Sequence, residues 1–184
     1  EATCLADLMQ AVVQSLPAAA AQMPPKVSLE RLDVRLSAYT TVSVSTEGNM
    51  VHLTQSYEFS ASHRLYRSDF SDEKNLRVFG KCSNAAGHGH NYVLDVTVAA
   101  APDGRAYEGC NLGSLDALVK SRVIDDFDHK NLNVECPEFT QLNPTVENIA
   151  VVIWNRLDGH CGPCRLTSVR VWETPKTYAE YSGA

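Results

Sequence analysis

Two long alternating segments, "MVHLTQSYEFSASHRL" (residues 50–65) and "GHNYVLDVTVAAA" (89–101), most constrain what this chain can fold into. Apolar and polar residues take turns along both, the period-two pattern of strands with one face on a core and the other towards water. Between them lies a long connection, residues 66–87, carrying the charged "SDFSDEKNLR". A connection of that length inside a compact domain is usually functional or disordered.

Downstream the period changes. "NLGSLDALVKSRVIDDF" places Leu112, Leu115, Leu118, Val119 and Ile124 along one helical face, and "HKNLN" ends it. A second helix is predicted from about Pro144 to Leu157, with Thr145 ahead of it and Glu147 in its first turn, where the helix dipole favours an acid. "RLTSVRVWE" and a short "TYAEYS" return to strand. From residue 47 the order is strand, strand, helix, helix, strand, strand: an α+β fold with an antiparallel sheet.

The first 48 residues read as a helix over 2–16 (Leu5, Leu8, Val12 and Leu16 at helical spacing, ending before Pro17), a turn, and strand in "VSLERLDVRLSAYTTVSVS". Helix, gap and "VRLSAYTT" at 34–41 match in order the chain's own end, helix 145–157, gap and "VRVWETPK" at 169–176. The offset predicts that 1–48 is the degenerate half of a domain related to 49–184.

The chain has 184 residues, 44% hydrophobic and 21% charged, the composition of an ordinary globular protein. A net charge of −6 argues against nucleic-acid or acidic-membrane surfaces. The longest apolar runs are too short to span a bilayer, and no basic segment precedes an apolar core. The six cysteines, at 4, 82, 110, 136, 161 and 164, fit free thiols in a reducing cytosol. "CGPC" at 161–164 copies a redox dithiol, but it follows a helix and leads into a strand, so the helix-N-terminal support for a reactive thiol is missing. A turn is expected there; a structural zinc on Cys161, Cys164 and His160 would lack an obvious fourth ligand.

"KCSNAAGHGHNY" (81–92) carries the most chemistry. His88 and His90, two apart on a strand, face the same way, and Gly87 and Gly89 leave room beside them. His63 ends the preceding strand, where antiparallel pairing would bring it alongside. Three histidines with one open position is a catalytic zinc pattern; histidines of a surface turn are the plain alternative. Cys82 alone reads more often as an inert small residue than as a base. Glu173, in a strand that runs into the sheet, is expensive unless paired.

"FSASHRL", "FGKC" with C-x5-H-G-H-N-Y, "DHKNLN", "PTVENIA" and "VRVWET", in this order over about residues 50–183, resemble the 6-pyruvoyl-tetrahydropterin synthase family. The resemblance implies a tunnelling fold (T-fold): a four-stranded antiparallel sheet with two helices on one face, assembling as trimers or hexamers into a barrel. It implies zinc on His63, His88 and His90, Cys82 as general base, and Asp128 and His129 as a proton relay. Glu173 would grip the pterin's N–C–NH2 edge, with Thr145 and Glu147 lining the same pocket. The implied reaction is conversion of 7,8-dihydroneopterin triphosphate to 6-pyruvoyl-tetrahydropterin and triphosphate, a cytoplasmic lyase activity, with Mg2+ a possible second ion. The C-x5-H spacing favours the pyruvoyl branch over the 6-carboxy-tetrahydropterin synthases of queuosine biosynthesis. A non-catalytic pterin-binding scaffold is the rival from another class, and Ala38 standing where the repeat would put Glu173 makes residues 1–48 a scaffold.

Overall fold

The computed structural model describes residues 5–45, 50–100 and 112–183, with side chains from residue 11 onward. Cys4, Cys110 and Asn111, and the side chains of Leu5 and Leu8, lie outside the described residues. The element order is α1 (Leu5–Ala21), β1 (Arg31–Arg35), β2 (Thr40–Ser45), β3 (Val51–His63), α2 (Asp72–Phe79), β4 (His88–Ala100), α3 (Leu112–Val119), α4 (Asp125–Phe127), β5 (Lys130–Asn131), α5 (Leu132–Glu135), α6 (Val146–Leu157), β6 (Arg165–Thr174) and β7 (Thr177–Tyr181). A π turn, Lys120–Ile124, joins α3 to α4 and makes 112–127 one helix.

The sheet runs β1-β2-β3-β4-β6-β7, antiparallel throughout, with β5 added parallel to the far half of β3. Four strands were expected from residue 49 onward; among the described residues five lie there, and β1 and β2 bring the sheet to seven. "VSLERLDVRLSAYTTVSVS" folds back on itself as the β1–β2 hairpin, and β2 pairs with residues 51–55 of β3. An unpaired edge on a 13-residue strand exposes a row of backbone donors and acceptors, and the hairpin covers residues 51–55 of it.

One face of the sheet is apolar and carries the helices. Leu53, Phe59 and Ala61 of β3, Leu94, Val96 and Val98 of β4, and Val169 and Val171 of β6 meet Val119, Val123 and Phe127 of the first long helix and Ile149 and Ile153 of α6. Val12 and Leu16 of α1 join the same core over β2, so the N-terminal unit shares one hydrophobic interior with the rest. The opposite face is polar, a cleft of about 690 Å3 lined by Arg31, Asp33, Asp95, Thr97, Arg170 and Glu180 among others. That division is what alternation along an antiparallel strand dictates.

Three local expectations need correction. Helix α1 does not stop before Pro17 but runs through it to Ala21. Pro17 removes one backbone hydrogen bond, yet the alanines after it are the best helix formers and carry the helix on. Of the two readings of the connection 66–87, functional or disordered, the second is set aside: Ser71 caps α2 by accepting from the Lys74 N–H, and the buried Asn75 side chain binds the backbone of Arg67, Phe70 and Ser71. Nor are all the cysteines free. Cys164 is disulfide-bonded, whereas Cys82, Cys136 and Cys161 are free thiols. Cys161 and Cys164 are therefore not joined to each other, and a zinc using both is excluded. "CGPC" forms the predicted turn between α6 and β6.

Gly87 is the tightest point in the β3–β4 join. Its φ is +68°, and a Cβ there would meet the His63 carbonyl oxygen at 2.9 Å. Gly159, after α6, has φ +73° with open space around it. Gly87→Ala is expected to cost about 1–3 kcal/mol of stability and more than Gly159→Ala, read by urea denaturation. Equal costs would mean that the clash with His63 is relieved at no expense.

Candidate functional site

The β3–β4 register sets the site. His63 pairs directly with His88, and Ala61 with His90. Opposed residues share a face, so all three imidazoles stand on the helix-covered side at one end of the sheet. Gly89 sits under Ala61, where a Cβ would meet the Ala61 carbonyl oxygen at 3.3 Å. The glycines thus make room for the backbone of β3 rather than for an ion.

The ligating atoms of His63, His88 and His90 all lie within 4.8 Å of one another, a group that can hold a metal ion. His63 Nε2 and His88 Nε2 are 3.2 Å apart. His63 Nδ1 is 2.7 Å from the Pro144 carbonyl oxygen, which can only accept, so Nδ1 carries the proton and Nε2 presents its lone pair. Burial holds the His63 pKa below that of a free imidazole, and burial also lowers His90, against an opposing pull from Glu173. His88 Nδ1 and His90 Nε2 are buried with no hydrogen-bond partner. Buried polar atoms are rarely left unpaired without a missing water, ion or ligand.

Glu173 reaches the same point from β6. Its Oε1 is 3.4 Å from His63 Nε2 and 3.6 Å from His90 Nε2. It lies two residues beyond Val171, which faces Leu94 in the core, and so comes up on the same side of the sheet as the histidines.

Asp128 and His129 follow the first long helix. Asp128 Oδ1 accepts from the Ser60 N–H at 2.8 Å, and the His129 N–H donates to the Ser60 carbonyl at 2.6 Å, docking the segment on β3. His129 Nδ1 and Asp128 Oδ2 are 2.9 Å apart, and the Ser60 and His129 bonds hold the Asp128 pKa low. His129 adopts φ +59°, uncommon for a non-glycine residue, and its ring is exposed. His129 and His90 line one cleft of about 570 Å3 with Ser62, Lys130 and Glu135.

Cys82 sits in the 3-10 turn Gly80–Ser83, half-buried, its carbonyl accepting from the Leu65 N–H at 2.9 Å. That bond ties the thiol-bearing turn to the chain just past His63. Thr145 is the N-cap of α6, its side chain accepting from the Asn148 N–H at 3.4 Å, and Glu147 is exposed in the first turn. Neither lines the cleft that holds His90 and His129.

Three contributors were not picked out from the sequence. The Pro144 carbonyl fixes the His63 tautomer, the Ser60 backbone orients Asp128, and Tyr92 packs against the histidines, its ring centroid 5.6 Å from His90 and 6.2 Å from His63. The Tyr92 hydroxyl is buried without a partner, and burial, with Glu173 and Cys82 adding to it, raises its pKa. Strand alternation, which aligned His88 with His90, extends to Tyr92; no sequence signal announces a backbone carbonyl.

The model of the family described as 6-pyruvoyl tetrahydropterin synthase matches residues 52–184. The human 6-pyruvoyl tetrahydrobiopterin synthase is 40% identical over 144 residues, covering 76% of this chain and 99% of the human one. A 6-carboxy-5,6,7,8-tetrahydropterin synthase of Haemophilus influenzae is more distant, 28% identical over 156 residues, 72% of this chain and 99% of that protein. Among solved structures, the 6-pyruvoyl tetrahydropterin synthase of Caenorhabditis elegans superposes with a TM-score of 0.67 at 34% identity, over 73% of this chain and 96% of that one. By sequence and by structure the chain belongs to the 6-pyruvoyl tetrahydropterin synthase family.

Proposed function

We propose that this chain is a zinc-dependent 6-pyruvoyl-tetrahydropterin synthase, acting on 7,8-dihydroneopterin triphosphate with loss of triphosphate. The observation that carries the reading is the convergence of His63, His88 and His90, with the Asp128–His129 pair on the cleft that His90 lines. The pyruvoyl branch is favoured by the C-x5-H spacing from Cys82 and by the higher identity to the human protein than to the bacterial 6-carboxy enzyme.

His63, His88 and His90 would hold the zinc. Their neutral, soft-to-borderline nitrogen donors suit that ion over Mg2+, which prefers oxygen. Bound there, zinc supplies a Lewis acid that polarises a substrate hydroxyl or carbonyl and eases loss of the neighbouring proton. Cys82 takes that proton as its thiolate. Asp128 holds the His129 ring through Nδ1, which leaves Nε2 to deliver or accept a proton from the cleft. Glu173 accepts paired hydrogen bonds from the pterin's N–C–NH2 edge, while Thr145 and Glu147 sit at the start of the helix whose preceding carbonyl orients His63. Mg2+, if it assists, does so on the triphosphate. Among the described residues no helix is long and apolar enough to cross a membrane; a cytoplasmic site of action and a trimeric or hexameric barrel complete the proposal. Residues 1–48 are read as the second half of a related unit, because α1, β1 and β2 repeat the helix–hairpin order of α6, β6 and β7.

Zinc-loaded protein incubated with 7,8-dihydroneopterin triphosphate is expected to give the pyruvoyl product by mass spectrometry. Cys82→Ala and His129→Asn should each lower kcat by about 10^2–10^4-fold; Asn tolerates the positive φ of position 129. A 6-carboxy product with acetaldehyde would move the chain to the other branch. Full turnover by Cys82→Ala would remove the thiol from the mechanism, and absence of turnover with pterin still bound would leave a binding scaffold.

Metal-free protein should also lose stability as pH falls. His63 and His90 have depressed folded-state pKa values, so below the free imidazole value near 6.5 the unfolded chain binds protons that the folded chain refuses. Urea midpoints measured on chelator-treated protein should therefore be constant above about pH 7 and fall towards pH 5. A flat profile would show that the imidazoles protonate freely in the fold.

A further inference from the structure

The sheet is open at both ends. Its outermost strands are β1 and β7, and among the described residues no strand pairs with the outer edge of either. In a sheet built from residues 49–184 alone the edges would be β3 and β7, but here β3 is taken. β2 covers residues 51–55, the Tyr39 carbonyl accepts from the Ser56 N–H, Asp128 and His129 hold the Ser60 backbone, and β5 covers 61 and 62. A strand from another molecule can therefore join this sheet at β1 or at β7.

The two edges match. Each is five residues long, Arg31–Arg35 and Thr177–Tyr181. Every pairing between them is antiparallel, and along the order β1-β2-β3-β4-β6-β7 that makes them run in opposite directions. On the core face β1 carries Leu32 and Val34 and β7 carries Ala179 and Tyr181, all four only partly buried. Neither strand has a proline or a core-facing charge, the devices that guard an edge meant to stay single. The polar face is concave, because Arg31, Asp33 and Arg35 line the same cleft of about 690 Å3 as Glu180 at the other end of the sheet. A curled sheet with two like edges of opposite direction is an open segment of a barrel, and closure is what removes its edges.

We propose that β7 of one molecule pairs antiparallel with β1 of a second copy, so that the N-terminal hairpin is the receiving edge of the assembly. The contact is head-to-tail, with a different surface on each side, and it makes a ring when the rotation closes. It gives the barrel proposed above its seam, yet it rests on the strand edges and not on the pterin-and-zinc reading.

Charge selects the register. Directly opposed residues share a face, so keeping the apolar sides together sets Arg31, Asp33 or Arg35 opposite Glu180. Like charges directly opposite are unfavourable, which excludes Asp33. Arg31 is committed to Asp33 and Ser43, whereas Arg35 donates to the Ala38 carbonyl and has no carboxylate partner among the described residues. Arg35 opposite Glu180 also sets Val34 against Tyr181 and Leu36 against Ala179, two apolar pairs that are half-open in the single chain.

Sedimentation velocity on the unaltered chain should give at least twice the single-chain mass of 20.2 kDa. Arg35→Glu and Glu180→Lys should each shift the protein to the single-chain mass, with circular dichroism checking that both are folded. The chain carrying both exchanges should recover the multimer, because every seam again joins opposite charges; a variant that merely misfolds would not be rescued by a second substitution at the far edge of its own sheet. An unaltered chain that sediments at 20.2 kDa, single variants that stay multimeric, or a double variant that stays single would each overturn the pairing. No turnover is read, so the seam and the synthase assignment stand or fall separately.

Discussion

The pairing of His63 with His88 across β3 and β4 is the contact on which the site depends. Because side chains alternate along a strand, a slip of one residue would turn His88 and His90 to the polar face and dismantle the group. The register is held by thirteen consecutive pairs and, at its end, by two glycines packed on the β3 backbone. Everything chemical is fixed relative to that end of β3. The Pro144 carbonyl orients His63, the Ser60 backbone docks Asp128 and His129, and the Leu65 N–H holds the turn that carries Cys82.

The same strand explains how an N-terminal unit can be added without disturbing the centre. β3 is longer than either neighbour on its outer edge, so β2 occupies residues 51–55 and β5 occupies 61–62. The unit brings its own apolar helix face, Val12 and Leu16, into the common core. It lies on the half of β3 away from the histidines, so the N-terminal strands extend the sheet without touching the His63–His88–His90 group.

What could be read from the sequence was whatever repeats with a period or packs through a pattern. β3, β4, the helix of 112–127 and α6 each bury an apolar face, and the His88–His90 alignment follows from period-two spacing, with His63 joined to it by antiparallel pairing. Helix α2 escaped because it buries almost nothing apolar. Leu76 and Val78 are 61% and 54% exposed, and the helix is held by a serine cap and the polar side chain of Asn75. The β1–β2 turn escaped because alternation runs on through "RLSAYTT" without a glycine or proline to mark the reversal. The extension of α1 past Pro17 was legible in the alanines that follow it, whereas the bonded state of Cys164 depends on neighbours in space that no residue type reveals.

The cost of such a site also shows why its parts come from so many elements. His88 Nδ1, His90 Nε2 and the Tyr92 hydroxyl are buried without partners, each a desolvated polar atom that weakens the fold by about 1–3 kcal/mol. A protein that kept these groups for packing alone would gain by replacing them with apolar side chains of similar size. For His90 Nε2, retention is intelligible if a bound cation repays the desolvation by accepting its lone pair. The large apolar interface of β3, β4 and β6 with the two long helices is what tolerates that local deficit. It lies directly behind the histidines, so core packing and the strain of the site act on the same three strands.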